Sequence, residues 1–405
     1  MPFAASDGSS LAMAIAGGAA PAPTLQTRIL PLEDGESQQT LQLAASKLHE
    51  GIYPVAFPTE TVYGLGADAT NSSAVRGIYK AKQRPSDNPL IVHFSSVLQI
   101  EQFLNSPLPT IYLPLVSRFW PGPLTIILPN PPDSRLAPEV TAGLETFGAR
   151  IPNSAIARRL IEVSGLPIAA PSANLSTRPS PTTAHHVYDD LQGRIELILD
   201  GGPCAIGLES TVVDGLGEDG PSILRPGAVS LSQIRQSAGW EKVKIAYGDA
   251  VQGVTTPRAP GMKYRHYSPR ALLIVYDSGV LWDPSSVADQ RPGIITSTRW
   301  KETELLQSWA QHHHSSPSHT TEDRPTAVSH PNPTVIELGP DLAGVARGLF
   351  AAFRDLDTRG CTSIHVEGVP ETEPMAAAIM NRLRKAASTT VQAPAREGAD
   401  RSPAP

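Results

Sequence analysis

The sequence predicts an α/β chain built from two successive sheet domains, and three observations carry that prediction. Short apolar runs of strand type alternate with segments of helical period along most of the chain. A Pro-rich, basic stretch without either period, "VQGVTTPRAPGMKYRHYSPR" at 251–270, interrupts the alternation once. The length of 405 residues, 40% of them apolar, also exceeds one domain of roughly 150 residues while leaving each part enough material for a core.

Residues 1–35 are poor in large apolar groups and read as a flexible tail, with structure beginning near Ser37. "SQQTLQLAASKLHEG" then sets Leu41, Ala44, Ala45 and Leu48 on one helical face and closes at Gly51, a residue free to take the left-handed conformation. "YPVAF" reads as a strand, "SSAVRGIYKAKQ" as a helix with a serine cap that stops before Pro85, and "PLIVHFS" as the next strand. "LTIIL", "FGARIP", "PIAAPS", "RIELILD", "STVVD" and "SILRPG" complete a sheet domain of α/β or α+β type over 36–240, whose strand order the sequence does not reveal.

Residues 241–270 form an interdomain linker. Beyond it, "ALLIVY", "GIITST", "TVIEL" and "SIHVEGV" are strand candidates, and "DLAGVARGLFAAFRDLDTRG" is a helix capped by Asp341, with Leu342, Val345, Leu349, Phe353 and Leu356 at helical spacing. A second α/β domain therefore occupies 271–387. It carries a polar, Pro-rich insertion at about 311–333, and 388–405 is a second tail. Of the two readings for His312, His313 and His314, metal ligands or a solvated loop, the loop is preferred, because successive side chains of an unstructured run do not converge.

Bulk properties exclude several classes. A net charge of −6 argues against a protein that binds nucleic acid over its whole surface, although it leaves room for a focused basic pocket. Two cysteines, Cys204 and Cys361, are too few for a disulfide framework or a thiolate metal cage and suit a reducing compartment, so a cytoplasmic protein is expected. No apolar run approaches the ~18 residues of a spanning helix, and the absence of Lys or Arg before Arg28 argues against a secretory leader and gives little support to a mitochondrial one.

Chemistry concentrates in the first domain. Arg76, Lys80, Lys82 and Arg84 fall close together, and such like charges are relieved either by solvent at a helix end or by an anion. Asn88 and the strand histidine His93 follow, so a turn, a cation cluster and a strand can present donors to one polyphosphate. "GLGADA" offers a G-x-G-x-x-A pattern, but "PTETVY" separates it from the preceding strand, which argues against a dinucleotide fingerprint. Hydroxyl-rich strand ends recur at Thr59, Glu60 and Thr61, at Ser172, Asn174 and Ser180, and at Ser210 and Thr211. Arg150 and Arg225 lie on apolar strands and require anionic partners. Together these imply a polar cavity lined by several strand ends.

The ordered set "PTETVYGLG", "KAKQRPSDNPLIVH", "PSANLSTRPSPT", "ESTVVD" and "ILRPG" resembles the YrdC-type catalytic domain of the threonylcarbamoyl-AMP synthases. "APGMKYRHYSP" and "AAAIMNRLRKAA" are similar to the linker and second domain of its two-domain branch. The resemblance implies a YrdC-like twisted, open, mixed sheet with flanking helices, followed by a smaller Rossmann-like α/β domain. It also implies a nucleotidyltransferase that joins L-threonine, bicarbonate and ATP, with Mg2+, into threonylcarbamoyl-adenylate. That product serves a tRNA threonylcarbamoyl-transferase complex acting beside the anticodon.

By the same resemblance, threonine contacts fall on Thr61, His93, Arg150, the backbone near Ala170, and Ser210. ATP contacts fall on Lys82, Arg84, Asn88, Thr146, Ser172, Asn174, Ser180 and Arg225, and on Tyr264 or Tyr267 of the linker. Lys82 and Arg84 are expected to stabilise charge, with no covalent nucleophile. A different class, a non-catalytic RNA-binding protein, would use the Lys80 to Arg84 cluster as a phosphate-contacting patch.

Overall fold

A computed structural model describes residues 25–32, 37–247, 266–287, 291–314, 332–371 and 375–392. An eleven-stranded mixed sheet forms the first domain. Its spatial order is Arg28–Pro31, Leu197–Asp200, Val55–Phe57, Gly64–Asp68, Ile168–Ala169, Ile91–His93, Thr146–Arg150, Leu124–Pro129, Thr211–Asp214, Ser222–Arg225 and Lys244–Ile245. Five parallel strands form the second sheet, in the order Thr334–Glu337, Pro292–Thr296, Ser363–Glu367, Leu272–Tyr276 and Thr389–Val391. Helices flank both sheets, the expected α/β architecture with a parallel, Rossmann-like second unit.

The helices form for the reasons the sequence supplies, with one change of cap. Helix Ser37–Glu50 buries Leu41, Ala44, Ala45 and Leu48, and Gly51 closes it at φ +65°. Helix Ser72–Lys82 is capped by Asn71 rather than by the expected serine. The Asn71 Oδ1 atom accepts from the amides of Ser73 and Ala74, so two orphan N–H groups of the first turn go to the residue one step earlier. Asp341 caps Leu342–Thr358 as expected, accepting from Gly344 N at 2.7 Å.

Four boundaries differ from expectation. The stretch read as linker from 241 onward begins with strand Lys244–Ile245, which pairs parallel with Ser222–Arg225 and ends the first sheet. The stretch read as an N-terminal tail contains the edge strand Arg28–Pro31, which runs parallel to Leu197–Asp200, with the Thr27 hydroxyl bonded to the Ile195 carbonyl. Four residues are too short a run to show strand alternation, and only the neighbouring edge selects them. The C-terminal stretch read as a tail similarly supplies Thr389–Val391, parallel to Leu272–Tyr276. His312 to His314 end helix Glu302–His314 rather than starting a loop, while 315–331 lie outside the described residues.

The two domains share apolar and polar contacts. Val62 and Leu208 of the first pack in the core of the second, beside Tyr267, Val345, Leu349 and Phe350. Gly207 marks the closest approach: at φ +82°, a Cβ there would lie 2.5 Å from Arg347 Cα and 2.6 Å from the Ala346 carbonyl oxygen. Only glycine lets the first domain's loop reach that helix. Buried Asp190 pairs with Arg354 of the second domain at 2.8 Å and with Arg178 at 2.6 Å. Among the described residues, no helix is long and apolar enough to cross a membrane.

Candidate active site

Adjacent strand ends form the floor of the site. Ile91–His93 and Thr146–Arg150 pair in parallel with His93 opposite Arg150, and residues so matched leave a sheet on the same face. Both line a cavity with Thr61, Ala170, Ser210 and Arg225, four positions from separate stretches of chain. The sheet order, unreadable in the sequence, gathers them.

Arg150 is 4% exposed, and every nitrogen of its guanidinium is engaged. Nε donates to the Gly122 carbonyl at 3.3 Å, Nη1 to Thr61 Oγ1 at 3.0 Å and Nη2 to Glu60 Oε1 at 2.7 Å. The buried Glu60 carboxylate is the anion that an interior arginine requires, and its other oxygen has no partner among the described residues. Burial, with the Arg150 charge, pushes His93 down to about 3, so its ring is neutral near pH 7. His93 Nδ1 is buried and has no hydrogen-bond partner among the described residues.

Ser210 closes the same lobe. Its hydroxyl meets Thr125 Oγ1 at 2.8 Å, and Arg225 holds its carbonyl through Nε at 3.1 Å and Nη2 at 2.9 Å. Burial pulls Arg225 down to about 10. A second lobe shares Arg84, Ser172, His266 and Tyr267 with the first and adds Lys82, Asn88, Asn174 and Ser180.

The helix end explains how the cations are sorted. Gln83 takes the left-handed conformation at φ 52° after Lys82. Half-buried Arg84 lines both lobes, and its guanidinium bonds the carbonyls of Asn88 at 3.4 Å and Pro89 at 3.1 Å. Lys82 is buried, donating to the carbonyls of Ser172 and Asn174 at 2.5 Å each; burial, aided by Arg84, lowers its pKa well below the usual lysine range. Lys80 and Arg76 are exposed, and Arg76 pairs with Glu139 at 2.6 Å. The cluster is thus divided between interior and surface, with Lys82 and Arg84 at the cavity and Arg76 and Lys80 in solvent.

In the second lobe, Asn88 Oδ1 is buried without a partner. Ser172 Oγ donates to Asn174 Oδ1 at 2.5 Å and Ser180 Oγ to Glu209 Oε1 at 2.6 Å. Thr146 is not brought to either lobe: it begins the strand that Arg150 ends, roughly 13 Å away at ~3.3 Å per residue. Tyr267 lines both lobes and stacks on Phe350 at 5.3 Å, whereas Tyr264 lies outside the described residues.

Sequence reasoning missed Glu209 and His266, which line the cavity directly beside the chosen Ser210 and Tyr267. It noted Glu60 without its pairing to Arg150. A cluster of buried arginines demands carboxylates, and that charge balance was the signal available. The lobes enclose about 70 and 80 Å³, small against the roughly 300 Å³ of a typical ligand cleft, and His266 and Tyr267 line both.

A mixed-sheet domain with a cation-lined polar cavity at its strand ends, docked on a parallel-sheet domain, defines a two-domain ligand-binding α/β protein. Two family models match the chain: one described as "Telomere recombination" (Sua5, YciO and YrdC) over 47–227, and one described as the C-terminal domain of threonylcarbamoyl-AMP synthase over 229–388. The threonylcarbamoyl-AMP synthase of Schizosaccharomyces pombe is 44% identical over 92% of this chain and 94% of its own length. That of Bacillus subtilis is 45% identical over 83% and 90%. The crystal structure of Pyrococcus abyssi Sua5 with L-threonine superposes with a TM-score of 0.74 at 39% identity, covering 91% of this chain and all (100%) of that one. The chain belongs to the threonylcarbamoyl-AMP synthase family, in its two-domain Sua5 branch.

Proposed function

We propose that this chain condenses L-threonine, bicarbonate and ATP into L-threonylcarbamoyl-adenylate, releasing pyrophosphate, for threonylcarbamoyl modification of the adenosine beside the anticodon of tRNA. The observation that carries this reading is the continuity of the Arg150–His93 lobe with the Arg84 lobe, since both steps need an amino acid held beside a polyphosphate.

Threonine occupies the first lobe. Each terminal nitrogen of Arg150 keeps one N–H beyond its bonds to Glu60 and Thr61, and the pair suits a carboxylate. Neutral His93 and the hydroxyls of Thr61 and Ser210 take the remaining polar groups. ATP, carried in as its magnesium complex, lies against Arg84, Asn88, Ser172, Asn174, Ser180, Arg225 and the Tyr267 ring. Lys82 holds the Ser172–Asn174 turn, and a nearby polyphosphate favours its charged form.

The threonine amine adds to the carbon of bicarbonate with loss of water, giving a carbamate. A carbamate oxygen then attacks the α-phosphorus as the bond to pyrophosphate breaks. Arg84 and Arg225 offset the charge that develops on phosphorus, and alignment supplies much of the acceleration. Both cysteines are buried and stand outside the chemistry, with burial pushing Cys204 up to about 12. The product is a mixed anhydride, so an acyl-transferring enzyme must consume it.

Incubation with all three substrates, followed by mass spectrometry, tests the reading. Threonylcarbamoyl-adenylate should form only when threonine, bicarbonate and ATP are all present. Pyrophosphate release that ignores threonine, with no adenylate, overturns it.

A further inference from the structure

Two arginines of the second domain reach through the interface toward the 177–180 segment of the nucleotide lobe, Arg354 directly and Arg382 through Glu209. Arg354, on helix Leu342–Thr358, donates to the Pro179 carbonyl and pairs with buried Asp190 at 2.8 Å. Arg382, on helix Ala376–Ala386, is 0% exposed; its Nε donates to Glu209 Oε2 at 3.0 Å and its Nη1 to the Pro226 carbonyl at 2.5 Å. Glu209 in turn receives the Ser180 hydroxyl at 2.6 Å. The residue after Tyr267 adds a third hold, Ser268 N donating to the Thr177 carbonyl at 2.8 Å.

The segment 177–180 needs holding. Thr177 sits at φ +74°, a left-handed conformation that a β-branched residue keeps only under external constraint. Glu209 presents a second problem, a buried carboxylate on the wall of the first lobe, among the cations Arg84, Arg150 and Arg225. Burial pushes its pKa up, but Arg382, Arg225 and the Ser180 hydroxyl outweigh that and keep it below the usual range, hence ionised. Arg382 also lies 5.6 Å from the Tyr267 ring, so one side chain touches both the neutralised carboxylate and the aromatic face of the lobe.

We propose that Arg382 and Arg354 are positioning residues for the nucleotide: the second domain completes the ATP subsite by neutralising Glu209 and fixing the 177–180 segment that bears Ser180. This inference rests on the assignment of that lobe to ATP. Without Arg382, the Glu209 charge is left to Arg225, one of the proposed ATP contacts, and Ser180 loses its fixed acceptor.

Calorimetric titration of the full chain with ATP, and separately with L-threonine, tests it. Arg382→Met should weaken ATP binding about tenfold or more, and more than it weakens binding of threonine, whose lobe Glu209 also lines. Arg382→Met combined with Glu209→Gln, which removes both charges, should return ATP affinity to within about threefold of wild type. Arg382→Lys keeps the charge but not the fork, and should weaken ATP binding about threefold; it carries the test if circular dichroism shows Arg382→Met unfolded. ATP affinity in Arg382→Lys or Arg382→Met equal to wild type overturns the proposal, as does a double variant no better than Arg382→Met. A wild-type chain that binds no ATP overturns it too. Failure of the synthase reading is scored separately, by absence of threonylcarbamoyl-adenylate from a chain that still binds ATP.

Discussion

His93 and Arg150 stand opposite each other on adjacent parallel strands, and the interior position that serves ligand binding also holds the histidine neutral down to about 3. The folded pKa lies below the ordinary 6.5. Between those values the unfolded chain binds more protons, so stability falls as pH drops through the window, by up to about 1.4 kcal/mol per pH unit. His186, held at about 4, and His266, held at about 3, act in the same direction. Urea unfolding from pH 7 to pH 4 should therefore show steep acid sensitivity, and His93→Asn should flatten it. A variant with the wild-type slope would show that His93 is not held neutral in the folded chain.

Arg84 and Lys82 are close in sequence but should fail differently. Arg84 is half-buried and bonds the nearby carbonyls of Asn88 and Pro89, so Arg84→Ala should cost less stability than Lys82→Ala while adenylate formation drops ~100-fold or more. Lys82 is the donor for the buried carbonyls of Ser172 and Asn174. Lys82→Ala strands both, so it should cost roughly 2 kcal/mol or more of stability in addition to activity. Paired melting curves and turnover assays separate the two; equal loss of stability would make both cations structural.

That division also shows what the sequence could and could not convey. Hydroxyl-rich strand ends and lone strand arginines were legible because such groups are costly in an apolar strand unless something binds them. Both Arg150 and Arg225 indeed line the cavity. Lys82 and Thr146 show the opposite. A helical spacing gives the face of a residue but not whether a loop ninety positions later will take its ammonium, as the Lys82 bond to Ser172 does. Nor does it reveal which end of the Thr146–Arg150 strand meets the ligand, since strand order decides that. Arg382 was invisible for the same reason: a charged residue in an amphipathic helix is usually solvated, and only the docking of two domains buries this one.

Docking itself depends on a position with no side chain. At Gly207 both the φ of +82° and the 2.5 Å approach to Arg347 Cα forbid a Cβ, so Gly207→Ala must move the loop or the helix. Stability should fall by about 1–3 kcal/mol. Because Glu209 lies two residues on, ATP affinity should weaken with it. Differential scanning calorimetry alongside ATP titration checks both, and an unchanged melting temperature would mean that the interface yields without cost.

Tyr267 joins these threads at the mouth of the nucleotide lobe. Its ring stacks on Phe350 at 5.3 Å, lies near Arg382 and lines both lobes, while its backbone is held at φ +67°. Burial pushes its hydroxyl pKa up, with Glu209 adding to the shift, so the phenol stays protonated at neutral pH and the ring acts as an apolar cover with one donor. If the ring is what matters, Tyr267→Phe should keep most activity. Tyr267→Ala should raise the apparent KM for ATP and admit water, and ATP breakdown without threonine should therefore rise above the wild-type background. Tyr267→Gly, which relaxes the backbone as well as deleting the ring, separates the two contributions. Should Gly match wild type where Ala does not, the strained backbone rather than the aromatic cover would be the operative element.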